Sequence, residues 1–146
     1  GGGLCQTSTT IFRSVFNAGL PIIKWKNHSL YVRYYTMYGD GLDSTIFPGK
    51  QDMKFQNPYN EKIYLSSYVD ANNNMHTFLI SKAQKEKITA EGPFYGRETK
   101  VMPNGRTLGR SQIGWLRTIN NKTEEFVSTY NGGYHIPKDK LKASQI

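Results

Sequence analysis

Near the start of the chain, Ile11, Phe12, Val15, Phe16 and Leu20 recur at helical spacing, with Arg13, Ser14 and Asn17 on the opposite side. The hydroxyl run from Thr7 to Thr10 offers N-caps and Gly19 with Pro21 offers stop signals, so the pattern predicts a helix over residues 9–18. No other segment has comparable helical periodicity. After Pro21 the rhythm shortens to alternation. Ile22 and Ile23 open a strand-like stretch to His28, and Leu30, Val32 and Tyr34 share one face of a strand predicted over residues 30–35. Gly39, Asp40 and Gly41 read as a loop, and short strands at 44–47 and 53–56 are separated by the Pro48–Gly49 turn. Segments 63–69 and 75–82 flank a polar stretch, 70–74, as a hairpin. Turns at Pro103–Gly105 and at Asn120–Lys122 punctuate the last third, the second joining strands over 113–119 and 125–130.

This succession predicts an α+β, mostly β fold: one N-terminal helix packed on antiparallel sheets, with a β-rich C-terminal extension. Pro93 and Gly96 stand without a low-complexity linker around them, so one domain is expected over residues 1–137. Its core motif region would be 1–70 and its extension 71–137, followed by a tail at 138–146. Aromatic residues make up 13% of the chain, enough large buried side chains to argue against disorder although Leu and Ile are sparse. No apolar run reaches the roughly 20 residues of a membrane span, and the N-terminus lacks signal-peptide zoning; any export signal or membrane anchor is expected outside this sequence.

Lysine and arginine total 19 against 11 acids, a net charge of +8 that favours polyanionic neighbours such as acidic wall polymers, anionic lipid or nucleic acid. The charges are scattered, and no aromatic RNA-binding signature accompanies them, which leaves single-strand RNA binding a minor alternative. Nucleic acid is not the expected partner.

The single cysteine, Cys5, excludes an internal disulfide. It lies shortly before the helix, where unpaired amides and the positive end of the helix dipole favour a thiolate. Gly2 and Gly3 beside it, with Gln6, could present amides or a side chain to an oxyanion. The competing reading packs Cys5 under the helix as a small apolar group. A thiol nucleophile needs a base, and His28, His76 and His135 are the three histidines. His28 is best placed, one short crossover after the helix; His76 follows the polar hairpin loop and His135 lies in a loop. For the group that orients the imidazole, Asp43 stands slightly ahead of Asp52 and Asn57, all three of which also suit turn chemistry. Neither zinc spacing nor a phosphate loop is present, and no cofactor is called for.

The segment Gly1-Gly2-Gly3-Leu4-Cys5-Gln6-Thr7-Ser8-Thr9-Thr10 closely resembles the GGG-x-CQ-x-STT signature of VanW-domain proteins, named after an accessory gene of vancomycin-resistance clusters. Ala18-Gly19-Leu20, His28-Ser29, Tyr34, Asp43-Ser44-Thr45, Gly49, Asp52, Lys54-Phe55 and Asn57 follow the family's pattern in order. The resemblance is strong over residues 1–70 and weaker to Tyr130, with residues 40–42 standing as an insertion before Asp43.

The resemblance implies an extracytoplasmic bacterial protein, at the cell wall or membrane-associated, acting on peptidoglycan stem peptides. Some VanW-domain proteins are L,D-transpeptidases that use the motif cysteine. Carried over, Cys5 is the nucleophile and His28 the general base; the residue reading adds Asp43 behind the imidazole and Gly2, Gly3, Gln6, Ser29 and Tyr34 as the expected oxyanion and substrate-binding set. The expected chemistry is acyl transfer through a thioester, with water as acceptor making a carboxypeptidase instead. The alternative is a non-catalytic wall-binding module whose cysteine is structural.

Overall fold

The computed structural model describes residues 2–136; the tail expected at 138–146 lies outside them. The helix, α1, spans Leu4–Ala18 and so begins five residues earlier than its apolar periodicity suggests. Gly3 takes the capping position in a left-handed conformation with φ 80°, and no side chain caps the helix. Its carbonyl accepts the first helical hydrogen bond, from the Thr7 amide at 3.0 Å. The hydroxyls that read as caps are used elsewhere. Ser8 donates to the Ser44 hydroxyl at 3.1 Å, and Thr9 both donates to the Ser44 carbonyl at 3.3 Å and accepts the Ser44 amide at 3.0 Å. At the other end Gly19, φ 73°, turns the chain so that its own amide and that of Leu20 reach back to Phe16 and Val15.

A short strand β1, Ile22–Lys24, pairs antiparallel with β2, Lys54–Phe55. The segment between them corrects the sequence reading. Residues 30–35 are not a strand: the chain bends there and closes a 3-10 turn at Arg33–Tyr35. The alternation was misleading because Leu30 and Tyr34 face solvent, while Tyr35 is buried. The Tyr35 carbonyl, and three from the loop that follows, go to Arg13. Its guanidinium donates to Leu42 O at 2.7 Å, Met37 O at 2.7 Å, Gly39 O at 3.1 Å and also to Tyr35 O. One helix side chain thus holds a whole loop in place. Residues 44–47 are likewise outside any ladder, apart from a single bridge between Phe47 and Gln51.

The two hairpins follow their patterns. β3, Ile63–Val69, pairs with β4, Met75–Ser81, around a turn whose amides at Asn72 and Asn74 donate to the Asp70 carboxylate. β4 rests on α1 through Thr77, whose hydroxyl bonds Ser14 and, at 3.3 Å, the Thr10 carbonyl. β5, Ile88–Tyr95, β6, Gln112–Ile119, and β7, Lys122–Thr129, form an antiparallel sheet in that order. β7 starts three residues before the predicted 125, because Asn120 and Asn121 both adopt left-handed φ, 49° and 65°, in a tight two-residue turn.

The apolar face of α1 packs on this sheet, giving the mostly β, α+β architecture the sequence predicts. Phe12 and Phe16 meet Leu42 and Phe126, with Trp25 stacked on Phe12 at 5.1 Å. Tyr95, Ile113, Tyr130 and Tyr134 form a second buried group with Tyr31 against it. Arg117, fully buried, donates to the Phe16 and Leu20 carbonyls at 3.0 and 3.1 Å and pairs with Glu124, satisfying the helix C-terminus from β6.

Candidate functional site

Because α1 starts at Leu4, Cys5 sits inside its first turn rather than ahead of it. The amides of Leu4, Cys5 and Gln6 precede the first helical hydrogen bond and have no partner within the helix. The sulfur is half-buried, 3.7 Å from the Thr45 hydroxyl and 3.5 Å from the Ile46 carbonyl oxygen. Both contacts come from the extended stretch that the Ser8 and Thr9 hydroxyls tie to the helix through Ser44. The carbonyl serves the protonated thiol; the Thr45 hydroxyl can turn to donate to a thiolate.

His28 lies close enough to the sulfur for each group to shift the other's titration. Its Nδ1 lies 2.6 Å from Asp43 Oδ2, and its backbone amide donates to the same oxygen at 2.8 Å. Asp43 is only 3% exposed, and Tyr130, at the end of β7, donates its hydroxyl to Oδ1. Trp25 Nε1 anchors the Asp43 backbone through its carbonyl at 2.8 Å. Both carboxylate oxygens are therefore engaged, and the imidazole is oriented with Nδ1 toward the acid, which leaves Nε2 for Cys5.

The electrostatics follow this geometry. Burial opposes ionisation of Cys5, but the Ile46 backbone, the Thr45 hydroxyl and His28 outweigh it and bring the thiol below its ordinary value. The hydrogen bond to Asp43 lifts His28 above its ordinary value against the opposing effect of burial, and Cys5 adds to the rise. The two shifts run in opposite directions, and each favours the charged form of its own group.

Cys5, His28 and Asp43 are thus neighbours. The remaining residues of the expected set are placed less closely. Gly2 and Gly3 are exposed, with φ of 72° and 80°, conformations that favour glycine at the entry to the helix. Gln6 is exposed beside a cleft, and the Ser29 carbonyl accepts the Asn131 amide at 2.7 Å. The Tyr34 ring stacks edge-on against Tyr35 at 4.7 Å and faces outward. It is Tyr35 whose ring lies beside His28, 5.4 Å between centroids, with its phenol pushed up to about 12 chiefly by burial. Sequence reasoning missed Tyr35, Thr45 and Tyr130, and the one local signal was the Asp-Ser-Thr run that carries Thr45.

The other candidates have local partners. His76 pairs with Asp70 at 2.8 Å on the hairpin, and exposed His135 lies 3.4 Å from Arg33. Asp52 accepts the Met53 amide, and Asn57 bonds Tyr59 and Glu61 within its own turn. Among the described residues no group of three His, Cys, Asp or Glu could hold a metal ion, and no helix is long and apolar enough to cross a membrane.

Comparison with known proteins gives a consistent frame. The uncharacterized protein YoaR of Bacillus subtilis (strain 168) is 42% identical over 65 residues, 44% of this chain and 20% of that protein. The chain therefore spans about a fifth of the curated relative it matches. No solved structure matches. The family model described as VanW like protein matches residues 1–79, more than half of the sequence and all of the segment that supplies Cys5, His28 and Asp43. By that match the chain belongs to the VanW-like protein family.

Proposed function

We propose that the protein is a cysteine-dependent acyl transferase of the bacterial cell wall that acts on peptidoglycan stem peptides outside the cytoplasm. One observation carries the reading: a half-buried thiol in the first turn of a helix, beside an imidazole that a buried carboxylate holds at 2.6 Å and whose charge favours the thiolate. A cysteine with only a packing role needs none of that arrangement.

In the proposed cycle the Cys5 thiolate attacks the carbonyl carbon that precedes the terminal D-alanine of a stem tetrapeptide. The amides at the helix start are available to the oxyanion of the tetrahedral intermediate. His28, as imidazolium, gives its proton to the departing amine as the C–N bond breaks, leaving a thioester on Cys5 and free D-alanine. An amine from a neighbouring stem then attacks the thioester. Neutral His28 takes the proton of that amine, the C–S bond breaks, and the new amide leaves with the thiolate–imidazolium pair restored. Water in place of the amine gives carboxypeptidase action by the same steps. Asp43 keeps the imidazole in the tautomer that presents Nε2 to the sulfur.

Incubation with a purified stem tetrapeptide tests the reading. The expected result is release of D-alanine and, by intact mass, a thioester adduct on Cys5 that the Cys5→Ala protein cannot form. Wild-type protein that shows neither D-alanine release nor adduct, with amine acceptor present or absent, overturns it in favour of a non-catalytic wall-binding module.

A further inference from the structure

A cleft of about 880 Å³ runs along α1 from Gln6 to Asn17, between the helix, the loop that follows the 3-10 turn, and the β3–β4 hairpin. Its size is that of a ligand site rather than of a packing gap. Gln6, Thr9 and Asn17 line it from the helix, Asn73 and Asn74 from the hairpin, and the aromatic lip is formed by Tyr34 and Tyr38. Tyr38 is 89% exposed and holds φ 62°, a left-handed conformation that is unusual for a bulky side chain. The backbone on both sides of it is pinned by Arg13, through the carbonyls of Met37 and Gly39. The loop is thus fixed in a form that displays an aromatic ring to solvent at the cleft mouth.

The charge of the lining narrows the ligand. Arg13 is the one lysine or arginine among the lining residues, and its guanidinium is occupied by four carbonyls. His76 is engaged with Asp70. A carboxylate-bearing peptide would find no free cation there. The hydroxyls of Thr9, Thr10, Ser14 and Thr77 are likewise spent on neighbouring protein groups, so the lining offers side-chain amides, which donate and accept, beside flat aromatic faces. A ligand with hydroxyl and acetamido groups around an apolar ring face matches that chemistry.

From this we infer that the cleft, whose lining begins at Gln6, one residue after the thiol, binds the neutral glycan of the wall, a run of N-acetylated amino sugars. The inference rests on the wall-directed reading above and adds a second subsite to it. Tyr38 and Tyr34 supply the stacking faces, and Asn73, Asn74 and Gln6 the polar contacts.

Titration with a soluble tetramer of N-acetylglucosamine, followed by NMR shifts or tryptophan fluorescence, tests it. Saturable binding is expected. Tyr38→Ala should weaken it about tenfold, the scale of a lost stacking contact, and Tyr38→Phe should bind within about threefold of wild type because the ring face remains. The de-N-acetylated, cationic tetramer should bind more weakly than the acetylated one. Lack of binding by folded wild-type protein, binding indifferent to Tyr38→Ala, or binding of a free stem tetrapeptide at Tyr38 in place of the sugar would overturn the assignment. The sugar carries no peptide, so the titration reads the cleft whatever Cys5 does. The adduct measurement uses a peptide without sugar, so it reads Cys5 whatever the cleft does.

Discussion

Two histidine–aspartate pairs, one at the helix start and one at the tip of the β3–β4 hairpin, have nearly the same contact distance, 2.6 Å for His28–Asp43 and 2.8 Å for His76–Asp70. Their surroundings differ. The side chains of His28 and Asp43 are 18% and 4% exposed, those of His76 and Asp70 40% and 28%. Asp43 accepts from a buried tyrosine just past β7, far along the chain, whereas Asp70 accepts from Asn72 and Asn74 in its own turn. His28 faces a thiol; His76 stacks on Tyr68 at 4.7 Å in the same hairpin. An imidazole–carboxylate contact is common turn chemistry, and what separates the two is dehydration together with a third group to act upon.

Substitution should separate the pairs further. The largest contrast is expected from the acids: Asp43→Ala should destabilise the fold by about 3 kcal/mol in chemical denaturation, since it leaves the Tyr130 hydroxyl and the His28 amide without their acceptor. Asp70→Ala should leave the denaturation midpoint close to wild type. An equal loss for both would dissolve the distinction.

Next in size is the titration of the sulfur. Iodoacetamide alkylation of Cys5 should show a midpoint below the ordinary cysteine value, and His28→Gln should move it up. His76→Gln should not move it. The comparison fails if His28→Gln leaves the midpoint unchanged.

The smallest effect is on stability against pH, best read in a Cys5→Ala background, where Asp43 still raises His28. A histidine whose folded value lies above its unfolded value of about 6.5 contributes stability fully below that pH, and loses the contribution as pH rises through the folded value. The melting-temperature advantage of His28 over His28→Gln should therefore be greatest at pH 5–6 and shrink toward pH 9. A gap that widens with pH would mean that the Asp43 contact does not favour the imidazolium.

Much of the fold was legible because it is local. The apolar stripe of α1 and the alternation in both hairpins are patterns of neighbours a few residues apart. The helix start was read late because the Ser8 and Thr9 hydroxyls bind Ser44, 35 or 36 positions away, and no local rule anticipates that. The false strand over residues 30–35 ends at Tyr35, whose carbonyl, with those of Met37, Gly39 and Leu42, goes to Arg13, a helix residue 22 to 29 positions back. At the site, the cysteine and its glycines advertise themselves by spacing, and His28 with Asp43 by order within the family pattern. Tyr35 was masked by the more regular Tyr34, and Tyr130 lies 87 positions from the carboxylate it serves.

That last contact bears on where the working unit ends. The family match stops at residue 79, yet Phe126 closes the aromatic core over α1 and the Tyr130 hydroxyl holds the far oxygen of Asp43. A fragment trimmed to the recognisable segment would retain Cys5, His28 and Asp43 while uncovering two phenylalanines and leaving one carboxylate oxygen without its donor. Recognition by descent and mechanical completeness have different borders in this chain.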